Sequence, residues 1–188
     1  LILEALESSD QGDHKTALKL FKTLYSKTGK LENKHRQIEL LIKLQDYQEA
    51  SAICEAFLES HPEDTRALRL MASVKLHENS PRQALAYAKR LLELERTESN
   101  YELVASILFT AGSYKEGIKY LESGYAISRD SGTLEKIISA LLVQEKWDEA
   151  VSYLQSHIRQ QGCSRRVCER LVQLYRSQKK IEGMIATY

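Results

Sequence analysis

Glu145-Lys146-Trp147-Asp148-Glu149-Ala150 reads as a turn residue, a bulky residue, an acidic pair and a small residue. The same element precedes it as Gly112-Ser113-Tyr114-Lys115-Glu116-Gly117 and as Asn79-Ser80-Pro81-Arg82-Gln83-Ala84. Further back stand Gln45-Asp46-Tyr47-Gln48-Glu49-Ala50 and Gly12-Asp13-His14-Lys15-Thr16-Ala17. A last copy is Gln178-Lys179-Lys180-Ile181-Glu182-Gly183. The small anchors fall at 17, 50, 84, 117, 150 and 183, spaced 33, 34, 33, 33 and 33 apart. Self-similarity at such a period is the signature of a repeat architecture.

Each element starts a helix. Asp46 with Glu49, Ser80 with Gln83, and Ser113 with Glu116 fit a capping box. Pro81 suits a first helical position, where a missing N–H costs nothing. A helix before each element, such as Thr65 to His77 or Thr133 to Gln144, completes a two-helix repeat. The small anchor lets the two helices approach. One turn beyond it lie Phe21, Cys54, Ala88, Leu121 and Leu154. Twelve residues before it, on the partner helix, lie Ala5, Ile38, Ala72, Ala105, Ile138 and Leu171. One hairpin cannot bury these faces alone, whereas stacked hairpins can.

The pattern resembles the tetratricopeptide repeat (TPR), a helix–turn–helix unit of about 34 residues. Gly12, Tyr47, Tyr114, Trp147 and the small anchors carry the resemblance, and Pro62 matches the repeat-closing proline. The copies are degenerate: the Trp-Leu-Gly run of the first helix is missing, and Gly117 and Gly183 replace alanine. The resemblance implies an all-α, right-handed superhelical solenoid of antiparallel helix pairs. It would be a single array over 1–188, with repeats at about 1–30, 31–64, 65–97, 98–130, 131–163 and 164–188. The first and last repeats look truncated, and the chain begins without Met or a signal peptide, so it reads as a fragment of a longer protein. Leu1, Leu3, Ile181 and Ile185 are expected to leave apolar end surfaces for further chain or a partner to cover.

Composition excludes several classes. The 27 basic and 26 acidic residues leave a net charge of +1, which argues against a dominant polyanion-binding role. Two Pro and eight Gly in 188 residues fit helices throughout. The longest apolar stretch, about 137–143, is far short of the roughly 20 residues that span a bilayer. There is no Gly-rich phosphate loop, and His14, His35, His61, His77 and His157 are scattered. No Ser–His–Asp or Cys–His grouping is readable, and the acids fall mainly at capping positions. The reading is a chain without catalysis, cofactor or metal.

Cys54 falls on a buried helix face as a small core residue. If Ser164 caps the next helix, Cys163 and Cys168 take the two positions that touch in a hydrophobic staple. They form a disulfide candidate, with a reduced staple, or a metal site that adds His157, as alternatives. A disulfide would imply an oxidising compartment. The stretch Gly162-Cys163-Ser164-Arg165-Arg166-Val167-Cys168 also resembles bacterial envelope TPR lipoproteins, which tilts the expected location towards envelope or periplasm over cytoplasm.

By the family resemblance, a partner would lie in a concave groove lined by first helices. Eight residues before the anchors stand Ile42, Leu76, Phe109, Leu142 and Tyr175, and eleven before stand Glu39, Ser73, Ser106 and Ser139. An apolar ridge beside small residues suits an amphipathic helix or extended peptide; the same ridge could instead pack against adjacent first helices. Fifteen before lie Arg69, Glu102 and Glu135; with one base and no Asn there, a carboxylate clamp is disfavoured. Glu39, Glu102 and Glu135 would favour a ligand with some positive charge.

The function expected is a protein–protein interaction scaffold or adaptor of a bacterial envelope assembly, with protein partners in the groove or at the solenoid ends. The alternatives are an RNA or lipid contact through Arg159, Arg165, Arg166, Arg170, Arg176, Lys179 and Lys180, or a regulatory array attached to a catalytic domain elsewhere. RNA ranks low, because the positions where helical repeats read bases vary here between apolar and acidic.

Overall fold

A computed structural model describes residues Leu1–Gln178. Among them are eleven helices and no strand: α1 (Ile2–Asp10), α2 (His14–Thr28), α3 (Leu31–Lys43), α4 (Tyr47–Ser60), α5 (Thr65–His77) and α6 (Pro81–Leu94). Then follow α7 (Glu98–Thr110), α8 (Tyr114–Ser128), α9 (Ser131–Val143), α10 (Trp147–Gln161) and α11 (Arg165–Ser177). Contacts divide the chain into two units, Leu1–Arg96 and the part beginning at Thr97. In the first, α1 packs on α2, α3 on α4 and α5 on α6, while α2–α3 and α4–α5 contacts join the hairpins. In the second, α7 packs on α8 and α9 on α10, with α8–α9 and α10–α11 contacts between hairpins.

The anchors behave as their size requires. Ala17, Ala50, Ala84 and Ala150 are fully buried, and so are Ala5, Ile38, Ala72, Ala105 and Ile138 on the partner helices. Each hairpin turn is fixed five residues before its anchor by a left-handed residue: Gly12 (φ 82°), Gln45 (61°), Asn79 (56°), Gly112 (75°) and Glu145 (58°). The following residue then donates its N–H back across the end of the first helix. Asp46 donates to Leu41 O (2.9 Å), Ser80 to Lys75 O (2.8 Å), Ser113 to Leu108 O (2.8 Å) and Lys146 to Leu141 O (3.0 Å). This closes the last turn and satisfies a carbonyl that would otherwise be orphaned.

The expected caps are corrected in part. Asp46 accepts from Glu49 N at 3.2 Å, but neither Ser80 nor Ser113 caps its helix through its side chain. Ser80 Oγ donates instead to the Glu78 carbonyl at 3.4 Å, a local bond that competes with the cap. Four further caps come from Asp13, Asp64, Thr97 and Asp130.

In α3, Gln37 and Leu40 are buried against α2, and Gln37 Nε2 donates to Phe21 O at 3.0 Å. The same positions of α1 hold Glu4 and Glu7, both exposed. The apolar exposure expected at this end is present at Leu1 (51%) and Leu3 (70%), but acids occupy the positions that stack in α3.

At the other end, α11 begins 34 residues after α9, and Gln178 is a right-handed C-cap (φ −87°), unlike the left-handed residues that open the preceding elements. The helix α11 therefore runs one residue later than its spacing implied. Lys179, Lys180, Ile181, Gly183 and Ile185 lie outside the described residues.

Candidate partner-binding site

Within the first unit, Ile42, Leu76, Ser73, Glu39 and Arg69 are all half-buried on α3 and α5. Glu39 does not present a bare charge. Arg66 Nη2 approaches it at 2.7 Å and Arg36 Nη1 at 3.3 Å, while both arginines also hold Glu32. The guanidinium of Arg66 beside it keeps the Glu32 carboxyl below the usual carboxylate range.

Within the second unit, Ser106 and Ser139 are exposed and Leu142 is half-buried, with Val143 beside it 64% exposed. Ser106 Oγ donates to Leu103 O (2.8 Å) and Thr110 Oγ1 to Ser106 O (3.0 Å). These two hydroxyls donate within their own helix, and the face presents small side chains. Glu102 meets Lys136 Nζ at 2.6 Å and Thr133 Oγ1 at 2.8 Å, and Glu135 meets Arg170 Nε at 3.0 Å. All three acids expected to draw a cationic ligand are thus committed to neighbouring first helices.

One ridge residue is placed differently from its spacing. Tyr175 belongs to the core: it is 8% exposed, takes the inward position held by Leu41, Leu108 and Leu141, and accepts from Gln155 Nε2 at 2.7 Å. The one-residue register shift of α11 is the reason. Phe109 is half-buried, with its ring stacked on Tyr114 (centroids 5.6 Å) and pressed against Gly117.

Several titratable groups are held in contacts within the fold. His35 Nε2 lies 2.9 Å from Asp64, which also accepts from Ala67 N at 2.8 Å. Buried Lys75 donates to Ser51 Oγ (2.7 Å) and meets Glu78 (3.0 Å) and Glu55 (3.3 Å). Burial pushes the Cys54 thiol up to about 12. Among the described residues no group of three or more His, Cys, Asp or Glu could hold a metal. The Cα atoms of Cys163 and Cys168 are 5.6 Å apart, with the sulfurs in bonding contact. Spacing gave no signal for one feature, a polar seam between α8 and α10 that joins buried His157 to Tyr125.

The hairpin geometry has clear relatives. The tetratricopeptide repeat family model matches residues 9–74, and the model described as anaphase-promoting complex, cyclosome, subunit 3 matches residues 43–124. Over residues 9–124, which the two matches together span, the chain carries TPR-family repeats. No curated protein matches it.

Solved TPR structures share the fold at low identity. A TPR protein from Parabacteroides merdae is 14% identical, with a TM-score of 0.71 over 99% of this chain and 75% of that one. MamA from Desulfovibrio magneticus RS-1 is 15% identical, with a TM-score of 0.69 over 85% and 93%. YrrB, described as a TPR protein with an unusual peptide-binding site, is 14% identical, with a TM-score of 0.64 over 91% and 90%. The TPR fold is a protein-interaction scaffold, and neither family match names an enzyme. Among the described residues no helix is long and apolar enough to cross a membrane.

Proposed function

We propose that this TPR chain is a non-catalytic adaptor that receives an apolar helix or peptide of a protein partner on its first helices. The observation that supports this reading is the α7/α9 face of the second unit. Ser106, Ser139 and Val143 are exposed beside half-buried Leu142, and the Ser106 and Thr110 hydroxyls are already satisfied. Such a face gains little from polar contact and more from apolar area removed from water. The ridge of the first unit, Ile42 and Leu76 flanked by Ser73, is the corresponding surface on α3 and α5.

The charge preference expected from sequence gives way here. With Glu39, Glu102 and Glu135 paired, the proposed ligand is apolar rather than cationic. Arg165 and Arg170 are likewise paired, with Glu169 and Glu135, which weakens the RNA or lipid alternative. An envelope assembly remains the context inferred from the Cys163–Cys168 pair, because a disulfide persists in an oxidising compartment.

The test is affinity capture from the native host with Ser106→Glu, Ser139→Glu and Val143→Glu combined. All three sites are exposed, so the fold should tolerate the charges. A Ser123→Glu, Ser152→Glu control charges exposed positions on the second helices. A partner lost by the first variant and kept by the control supports the reading; equal capture by both removes it.

A further inference from the structure

The helix α11 has a packed face of its own apart from its cysteine. Val167, Leu171, Leu174 and Tyr175 all lie in the core of the second unit. Cys163 and Cys168 are five apart in sequence, and a loop so short constrains the unfolded chain less than a long-range bridge does. The fourth residue of α5 and of α9 is a core leucine, Leu68 at 0% and Leu134 at 1% exposed. In α7 it is half-buried Tyr101, and in α11 it is half-buried Cys168, which meets Cys163 instead.

The surroundings of the pair suit an anionic sulfur. Cys163 is exposed and precedes the N-cap Ser164. The other first helices of this unit, α7 and α9, are capped by Thr97 and Asp130, whereas Ser164 makes no side-chain cap bond. The first N–H groups of α11 therefore lack the acceptor that a capping oxygen supplies. The first turn holds no acid and carries Arg165 and Arg166. Two cations at the positive end of a helix are unfavourable unless an anion shares the site. Arg165 and Arg170 pair with Glu169 and Glu135, while Arg159 and Arg166 are exposed nearby in sequence. A helical side chain leans towards the turn before it, which carries the Cys168 sulfur over this first turn.

We propose that the pair is an exchangeable disulfide that reacts with an anionic low-molecular-weight thiol of the glutathione class. The incoming thiolate attacks Cys163 Sγ, on the exposed cysteine. A new sulfur–sulfur bond forms there, the Cys163–Cys168 bond breaks, and Cys168 leaves as a thiolate. A helix N-terminus and nearby arginines lower a thiol's pKa, and a thiol of lower pKa leaves faster. A second thiolate attacks the small-thiol sulfur of the mixed disulfide and releases Cys163 as a thiolate. Two thiols are thus oxidised to one small disulfide, and two electrons pass to the protein pair. The protons of the two thiols end on the cysteine sulfurs or in water. The reverse sequence, driven by the small disulfide, restores the bond. The site lies at the α10–α11 turn and is separate from the α7/α9 face of the proposed adaptor.

The experiment equilibrates the natural protein with glutathione buffers, once from the oxidised and once from the reduced state. Acid quenching, alkylation and mass analysis count the thiols. The expected result is convergence from both sides, with the pair more than half reduced at about 10 mM reduced glutathione in about hundredfold excess over the oxidised form. Buried Cys54 should carry no adduct in the folded protein. Relative to their rates on a neutral disulfide, glutathione should outpace cationic cysteamine by about threefold or more at low salt. Cys168→Ser should trap a mixed disulfide on Cys163, and Cys163→Ser should react about tenfold more slowly or worse at half-buried Cys168. A pair that stays oxidised in that buffer is a structural disulfide, and one that stays reduced in oxidised glutathione is a staple; either overturns the proposal. Equal relative rates for the two thiols, or faster reaction at Cys168, overturn it as well. The equilibration and the thiol comparison use only the unaltered protein, so a variant that fails to fold does not decide the question.

Discussion

The Phe109 ring occupies the space that a side chain at residue 117 would fill. A Cβ built on Gly117 would sit 2.4 Å from Phe109 Cε1 and 3.2 Å from the Ala105 carbonyl oxygen. The alanine anchors Ala50, Ala84 and Ala150 stand opposite Ile42, Leu76 and Leu142, which are smaller than phenylalanine. The departure from the repeat pattern at Gly117 is therefore the complement of the aromatic residue eight positions earlier.

That pairing predicts a change of sign. Gly117→Ala gains about 1 kcal/mol of helix propensity but must expel the Phe109 ring, an overpacking cost of about 1–3 kcal/mol. Net destabilisation is expected in the natural background. In a Phe109→Leu background the same alanine should stabilise. Urea unfolding of the four proteins of the cycle measures both, and an alanine that acts identically in the two backgrounds would remove the explanation.

Asp64 serves two partners, as the cap of α5 and as the carboxylate beside buried His35. Asp64→Ala should cost about 2–3 kcal/mol, combining a lost cap with an unpaired buried group. Asp13→Ala, which removes only an exposed cap, should cost about 1 kcal/mol. Chemical denaturation of the two variants gives the comparison, and equal losses would show that His35 does not depend on Asp64.

Lys75 carries a pH signature. Burial works to lower its pKa, but hydrogen bonds to Glu78 and Glu55 outweigh burial and raise it above the ordinary 10.5. A raised lysine pKa stabilises the fold fully below 10.5 and loses that contribution as pH climbs through the folded value. The stability difference between the natural protein and Lys75→Met should thus stay constant up to about pH 10 and shift in favour of the variant above it. Thermal unfolding from pH 7 to 11 reads this difference, and parallel curves throughout would contradict it.

Cys163 of the α10–α11 turn and Cys168 of α11 should count as one disulfide. Denatured without reductant, the protein is expected to show a single reactive thiol, Cys54, and three after reduction. Closing so short a loop should stabilise by about 2 kcal/mol in the chain-entropy account, so reduction should lower the unfolding temperature. Three thiols before reduction would leave a reduced staple.

The sequence alone determined the repeat, because small anchors and the residues facing them must recur wherever two helices approach closely. Ala17, Ala50, Ala84 and Ala150 are buried for that reason, and the hairpin order follows from their spacing. The end of the chain was less legible. A one-residue lengthening before α11 moves Tyr175 from the ridge to the core, and no short-range pattern distinguishes those two registers.

Charge and capping were decided only by tertiary structure. Glu39, Glu102 and Glu135 read as open acids until the folded hairpins bring Arg66, Lys136 and Arg170 beside them. Ser80 and Ser113 have the right spacing for caps, yet neither side chain caps its helix. The α8/α10 seam joins side chains 32 residues apart, Tyr125 and His157. The physical reason is common to all of these. Periodicity specifies which face of a helix is buried, whereas the partner of a polar group depends on distances set only when hairpins pack.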